Sequence, residues 1–305
     1  MKIADLLAKV EILRNKEQNL KKAERFLENF LKKSSEEKER LLALKALSGI
    51  YLDLGKIKES EKCFKKAIEL AKKLNDKLNL ADLLKKYGYF VNKYHKNGSK
   101  EGLKYVKESL KICEKFPKSE EFLRVKASAL AAKGNILYDT KKYKEALNAY
   151  QEGLKICRKI GCLEREITLL GDIANVYISA KELKNLRKAE KILKEMLLKS
   201  ALYYKHSLPA VLCRLGMLKS LEKKLEEAQM WAELSLIVSQ HGGWRREEGE
   251  AFELLGKIFK EKNNLKQAKI YFKKALKIYQ ELRYHSRIQG LKEKLKRDKK
   301  SVRQK

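Results

Sequence analysis

One segment of this chain occurs twice, 44 residues apart. Residues 100–113 read KEGLKYVKESLKIC, and residues 144–157 read KEALNAYQEGLKIC. A period of this length is far longer than a heptad, so it indicates a stack of similar supersecondary units. We therefore predict a repeat architecture in which each unit packs mainly on its neighbours.

A small residue marks the second helix of each unit. An apolar residue stands four positions after it in every unit, and a small residue stands seven positions after it in five of the seven units. Positions with these offsets share one face of an α-helix, where small side chains let two helices approach closely. The marker residues recur every 37 to 44 positions and define seven hairpins: Ala23, Ser60, Gly102, Ala146, Ala189, Ala228 and Ala268.

The helix before each marker has a pattern of its own. It is clearest in two units, which read Leu47, Ser48, Tyr51, Ser60, Phe64 and Ala67 in one and Leu255, Gly256, Phe259, Ala268, Phe272 and Ala275 in the other. This pattern resembles the tetratricopeptide repeat, whose consensus places a bulky residue, Leu, Gly or Ala, and Tyr on the first helix and Ala, Phe and Ala on the second. Because these units exceed the usual length of about 34 residues, they resemble the longer repeat class of kinesin light chains and of some bacterial peptide receptors.

The sequence favours helix almost throughout. It contains only two prolines, Pro117 and Pro209, and is rich in Leu, Lys, Glu and Ala, which are strong helix formers. We predict an all-α, right-handed superhelix of about seven hairpins plus a capping helix, with residues 1–298 forming a single solenoid. The predicted hairpins span residues 1–33, 36–74, 77–116, 119–160, 163–200, 206–241 and 245–282, followed by a capping helix at 284–298 and a disordered basic tail at 299–305.

Several classes of protein lack support in the sequence. No run of about 18 apolar residues is present, and the first residues do not resemble a signal peptide, so we expect a cytoplasmic protein without integral membrane association. The five cysteines match no metal or redox spacing and are expected to be packing residues. The four histidines are isolated from one another, and the glycines occur at repeat positions. We therefore expect no enzymatic activity, no cofactor and no metal.

The charge of the chain is strongly positive. Lys and Arg number 72 against 40 acidic residues, which gives a formal net charge of +32. Such a charge creates a positive field that speeds encounter with polyanions. Two interpretations of the positive charge remain open. Either lysines cover the exposed helix faces without a specific role, or the charge attracts an acidic partner.

The resemblance also implies a binding surface, because in this family the first helices line the concave groove. Asn135 and Asn175 occupy the same step of successive repeats, where an amide can hold a peptide backbone. The alternative for each Asn is a bond to a neighbouring helix. The residues expected to contact a partner are Lys85, Lys86, Tyr89, Lys93, Asn135, Tyr138, Asn175, Arg214, Met217 and Lys257.

The function predicted from these features is a non-enzymatic scaffold or adaptor. Its groove would bind an extended or helical segment of a protein or peptide with acidic character. The alternative is binding of RNA or DNA through the basic groove and the tail at 299–305. The oligomeric state cannot be read from the repeats.

Overall fold

The computed structural model describes residues 2–15, 19–180, 183–282, 287–293 and 295, and all regular structure in these ranges is helical. A 3-10 turn at Lys205–Ser207 precedes α11, and residues 287–293 form a further helix. The fourteen main helices are α1 (Ile3–Asn15), α2 (Leu20–Lys33), α3 (Glu37–Asp53), α4 (Ile57–Lys73), α5 (Lys77–Tyr94), α6 (Ser99–Glu114), α7 (Glu120–Asp139), α8 (Tyr143–Lys159), α9 (Leu163–Ser179), α10 (Leu186–Tyr203), α11 (Leu208–Leu221), α12 (Leu225–His241), α13 (Arg245–Glu261) and α14 (Leu265–Glu281).

Consecutive helices pack as hairpins. The pairs are α1 with α2, α3 with α4, α5 with α6, α7 with α8, α11 with α12, and α13 with α14. Helices α9 and α10 are linked at both ends. Lys199 near the end of α10 reaches Glu166 near the start of α9 at 3.1 Å, and the Lys188 ammonium lies 5.6 Å from the centre of the Tyr177 ring. These contacts require that α9 and α10 form an antiparallel pair, which makes this the seventh hairpin. The predicted all-α fold of seven helical hairpins is therefore confirmed.

Tight turns between the helices use residues in the left-handed region. Gly55, Asn97 and Asn263 have positive φ angles, as do Lys141 and Lys223. A left-handed residue ends an α-helix by letting the following amide bond back to a carbonyl of the last turn, and Gly and Asn tolerate this conformation best. The short connections therefore reverse the chain and place each second helix beside its own first helix.

Small residues at the repeat positions allow close contact between helices. A Cβ added at Gly88 would lie 2.6 Å from the Gly102 carbonyl oxygen, so α5 and α6 meet through two glycines. A Cβ added at Gly134 would lie 2.4 Å from the ring of Tyr150. At the equivalent contact of the second hairpin, the Ser60 hydroxyl donates to the Ser48 carbonyl at 2.8 Å. These contacts explain why the repeat pattern requires Gly, Ala or Ser.

The chain divides into two compact units, residues 1–165 and residues 166–305, here called the N-terminal and C-terminal units. Helices α1 to α5 share one hydrophobic core, which includes Phe64 and Phe90. In the C-terminal unit, Phe252 and Phe272 belong to a core formed by α11 to α14. That residues 1–298 form one continuous solenoid remains a prediction.

The C-terminal core is covered by the helix at 287–293, within the range predicted for a capping helix. Leu291 is only 1% exposed and belongs to the core cluster, against which Ile288 and Leu295 also pack. Arg287 contacts the buried carboxylate of Glu253 at 3.2 Å. The tail predicted at 299–305 lies outside the described residues.

All five cysteines except Cys162 are buried. Burial raises the pKa of Cys63 and of Cys113 to about 11. It raises the pKa of Cys213 to about 12. A thiol with a raised pKa is a poor nucleophile, so these side chains are suited to packing.

Candidate functional site

The first helices of the hairpins lie side by side within each unit. In the N-terminal unit α1 contacts α3, and α5 packs on α7. Lys45 on α3 also reaches across to Asn79 and Asp82 on α5. In the C-terminal unit α11 packs on α13. Some successive first helices thus adjoin in each unit, and the predicted contact residues lie on the first helices α5, α7, α9, α11 and α13.

Three lysines converge on one carboxylate in the N-terminal unit. The Lys45 ammonium lies 2.7 Å from Asp82 Oδ2, and the Lys86 ammonium lies 3.0 Å from the same oxygen. Lys85 contacts the other oxygen of Asp82. We call these four residues the lysine cluster. It contains three positive charges and one negative charge, so it retains a positive excess.

Burial makes this arrangement electrostatically unusual. Burial opposes ionisation of Asp82, but Lys85, Lys86 and Lys45 together hold its pKa well below the usual range. Burial lowers the pKa of Lys85 to about 8, and repulsion from Lys86 and Lys45 adds to this effect against the attraction of Asp82. The aspartate therefore stays charged, while Lys85 gives up its proton more readily than an ordinary lysine does.

The side chains around the lysine cluster are held in place. Lys45 donates a hydrogen bond of 2.9 Å to Asn79 Oδ1. Asn79 is itself fixed by Asp76, which caps α5 and accepts bonds from the backbone amide and the side-chain amide of Asn79. Lys45 thus has a defined orientation, with its side chain 23% exposed.

Aromatic and polar side chains continue the surface along α5. Tyr89 lies one turn beyond Lys85 and is 38% exposed. Lys93 follows one turn later, with its ammonium 5.9 Å from the centre of the Tyr94 ring. The end of α5 is tied to α7 by a hydrogen bond of 2.9 Å from Asn92 to Asp139.

Two of the predicted contact residues lie on α7. The Tyr150 hydroxyl donates a hydrogen bond of 2.7 Å to Asn135 Oδ1, which commits this oxygen to the second helix of the same hairpin. The Nδ2 amide of Asn135 can donate to a ligand. Tyr138 is half-buried, and its ring meets the edge of Tyr143 at a centroid distance of 5.3 Å.

The remaining predicted residues belong to the C-terminal unit. Asn175 is half-buried on α9. Arg214 donates from Nη1 to its own helix at Ala210 O, 3.1 Å away, while its buried Nε has no partner among the described residues. Met217 is 41% exposed, and Lys257 pairs with the buried Glu253 at 3.0 Å.

Lys45 was not among the contact residues predicted from the sequence. It stands three residues before the small residue Ser48, just as Lys85 stands three residues before Gly88. The same repeat register, applied to α3 as it was to α5, would have identified it. The structure thus brings Lys85 and Lys86 together with a lysine from the preceding hairpin.

The described parts of the chain support neither a metal site nor a membrane-spanning helix. No three side chains of His, Cys, Asp or Glu cluster there in a way that could hold a metal ion. Nor does any helix in these ranges have the length and apolar character needed to cross a membrane.

Antiparallel helix pairs that stack through small residues define an α-helical repeat protein. The chain carries tetratricopeptide repeats: models of the tetratricopeptide repeat family match residues 46–74, 127–160 and 249–282. These segments correspond to the second, fourth and seventh hairpins. No curated protein sequence matches the chain significantly.

Solved structures of the same fold share little sequence with this chain. A signal transduction ATPase with a tetratricopeptide repeat sensor from Pyrococcus horikoshii is 18% identical with a TM-score of 0.64; the match covers 88% of this chain but only 39% of that protein. A Rap protein complexed with Competence and Sporulation Factor is 12% identical with a TM-score of 0.68 and coverage of 99% and 86%.

A Rap conjugation gene regulator of plasmid pLS20, in complex with the Phr* peptide, is 12% identical. Its TM-score is 0.60, and the match covers 95% of this chain and 78% of that one. At these identities the similarity establishes the fold alone. The matched tetratricopeptide repeats support a protein-interaction scaffold.

Proposed function

We propose that this protein is a non-enzymatic scaffold whose N-terminal unit binds an acidic segment of a partner protein along α3, α5 and α7. The observation that carries the proposal is the convergence of Lys45, Lys85 and Lys86 on the single carboxylate of Asp82. The partner segment would add the carboxylates that this cluster lacks.

The position of the lysine cluster strengthens its attraction for an anion. Lys85 is buried and Lys45 is mostly buried, so their charges are screened less by water than those of surface lysines. Asp82 neutralises only one of the three ammonium groups. An incoming Glu or Asp side chain would therefore gain charge-assisted hydrogen bonds, above all from the more exposed Lys86.

Other groups on the same surface suit a peptide. Tyr89 offers an exposed aromatic ring beside the lysine cluster, and aromatic residues often anchor protein contacts. The Nδ2 amide of Asn135 can donate to a peptide carbonyl. Two proteins of similar fold are described as complexes with the Phr* peptide and with Competence and Sporulation Factor, which agrees with a peptide ligand in this class of fold.

A display library of random peptides tests the proposal without knowledge of the partner. Selection on the full chain should enrich peptides containing Glu or Asp. The Lys45→Gln/Lys86→Gln variant should lose this enrichment. The matched control is Lys62→Gln/Lys66→Gln, which removes two exposed lysines from α4 in the same unit and should select acidic peptides like the wild type. Equal selections by all three proteins would exclude the lysine cluster as the binding site.

Nucleic acid is the competing ligand class, because a chain of this charge attracts phosphates. The surface is not uniformly basic, however, since Asp82 and Asp139 interrupt it. A labelled single-stranded RNA titrated at 50 and 200 mM salt separates the two classes. If the protein binds this RNA with an affinity that falls by orders of magnitude between these salt concentrations, and selects no acidic peptide, the nucleic-acid alternative replaces the proposal.

A further inference from the structure

Arg214 on α11 is a half-buried cation without a counter-charge. Its Nε is enclosed and has no hydrogen-bond partner among the described residues. Within the same residues, Nη1 donates to a neutral group, the Ala210 carbonyl of its own helix, and no carboxylate lies at ion-pair distance. Buried arginines are almost always paired, because removing an unpaired charge from water is costly. The missing negative charge therefore points to a ligand.

The guanidinium of Arg214 is held against α9 at Gly171. A Cβ added at Gly171 would lie 3.2 Å from Cζ of Arg214 and 3.4 Å from both Nε and Nη2. These nearly equal distances place the face of the guanidinium, and not its edge, over Gly171. The N–H donors lie in the plane of the group, so they are directed along the surface of the protein and not into α9. Because Nε is enclosed, Nη1 and Nη2 are the donors left for a carboxylate.

Apolar side chains follow Arg214 along α11. Met217 is 41% exposed and Leu221 is 44% exposed. The spacing of three and four residues places both on the same face of the helix as Arg214. Binding sites for small ligands combine apolar walls with a few fixed polar groups. This face therefore suits a carboxylate that has an apolar group attached to it.

The neighbouring helix limits how much negative charge the ligand can carry. α13 packs on α11. The charges of its Glu250 and Glu247 raise the pKa of the thiol of Cys213, the residue next to Arg214, whereas Arg214 lowers it. The positive charge of Arg214 is thus opposed by two nearby carboxylates. One carboxylate would balance Arg214, while a doubly charged phosphate would also be repelled by the two glutamates.

We propose that Arg214, Met217 and Leu221 form a second binding site, which takes a single carboxylate carrying an apolar group. Nη1 and Nη2 of Arg214 bind the carboxylate, and the apolar group lies on Met217 and Leu221. Two sources have this chemistry: the C-terminal residue of a peptide with an apolar side chain, and a small carboxylic acid with a hydrocarbon chain. The site belongs to the C-terminal unit and does not rest on the proposed binding of acidic segments by the N-terminal unit.

The methyl group of Met217 reports directly on this site. The chain has four methionines, so carbon-13 labelling of their methyl groups gives a simple NMR spectrum in which Met217→Leu identifies the Met217 signal. The full chain is titrated to about 10 mM with acetyl-Gly-Leu-Leu, as the free acid and as the C-terminal amide, and with octanoate. A carboxylate ligand should shift the Met217 signal saturably, and the amide should bind about tenfold or more weakly than the free acid. Binding of the free acid without octanoate assigns a peptide C-terminus, and tighter binding of octanoate assigns a small carboxylic acid.

Arg214→Gln should weaken binding of the preferred carboxylate by about tenfold or more. The matched control is Arg187→Gln, which removes an exposed arginine from α10 in the same unit and should bind like the wild type. Circular dichroism establishes that both variants fold. The proposal is overturned if neither carboxylate shifts the Met217 signal, or if folded Arg214→Gln binds as tightly as the wild type. Equal affinities of the wild type for a bound free acid and its amide would also overturn it, and this comparison needs no variant.

Discussion

Lys85 shows how strongly the surroundings of one residue determine its chemistry. It is a lysine on the face predicted to bind a partner, yet it is buried and contacts Asp82. Burial and the nearby Lys45 and Lys86 outweigh the attraction of Asp82 and lower the pKa of Lys85 to about 8. Its contribution to a ligand site is therefore to position Asp82 and maintain the positive field, while Lys86 is more accessible.

The lowered pKa of Lys85 gives a prediction about stability and pH. Between about pH 8 and pH 10, an unfolded lysine remains protonated while the folded Lys85 loses its proton. The unfolded state then binds more protons, so the free energy of unfolding rises with pH. Over this range it should rise by about 2 kcal/mol more in the wild type than in Lys85→Met. Urea unfolding at several pH values measures the difference, and parallel curves for the two proteins would contradict the prediction.

Two glycines in the C-terminal unit should respond oppositely to alanine. A Cβ at Gly256 would lie 2.5 Å from the Phe272 ring, so Gly256→Ala should cost about 1–3 kcal/mol through overpacking. At Gly290 the added Cβ meets nothing within 4 Å, and Gly290→Ala should be neutral or stabilise by up to about 1 kcal/mol. Urea midpoints measure both. A urea midpoint for Gly256→Ala equal to that of the wild type would show that the Phe272 ring leaves room for the added Cβ.

Residue-level roles were only partly predictable. The repeat register identified Lys85 and Asn135 as positions on the first helices. It could not reveal that Asn135 accepts a bond from Tyr150, because that bond depends on which side chain lies opposite in space. Nor could it reveal the burial of Lys85, which depends on which side chains surround it in space. The repeat register could have predicted Lys45 as well, but this residue was not included.

At the scale of the helices, sequence patterns were more informative. The spacing of apolar residues and the glycine and asparagine turns predicted the hairpins, because both reflect local geometry. For example, the predicted hairpin at 245–282 contains α13 and α14. The exposed apolar stripe on α12, formed by Met230, Leu234 and Ile237, was not predicted, because apolar residues at this helical spacing are equally typical of a helix face buried in the core. Its exposure became clear only when the neighbours of α12 were known.

The helix at 287–293 gives a prediction at this scale. Leu291 is buried among core residues of α13 and α14, so Leu291→Ala should destabilise the C-terminal unit by about 2–4 kcal/mol. Lys292→Ala is the control, because Lys292 is exposed one position further along the same helix. Thermal unfolding of both variants measures the effect. Equal melting temperatures would show that this helix does not close the core.

At the scale of the whole molecule, the net charge dominates. Forty acidic residues neutralise at most forty of the 72 positive charges, so 32 positive charges stay uncompensated. Their mutual repulsion destabilises a compact chain and is screened by salt. The melting temperature should therefore rise by a few degrees between 20 and 300 mM NaCl. A fall would mean that the ion pairs outweigh the general repulsion.

The affinity of one selected acidic peptide for three proteins tests the central claim most directly. The peptide, taken from the display selection and labelled with a fluorophore, is titrated at 150 mM salt against the wild type, Lys45→Gln/Lys86→Gln and Lys62→Gln/Lys66→Gln. Both variants lose two positive charges from the N-terminal unit. Loss of two charge-assisted contacts should weaken binding about tenfold or more in the first variant, with affinity within about twofold of wild type in the second. Equal losses in both variants would attribute binding to net charge and contradict a specific site at the lysine cluster.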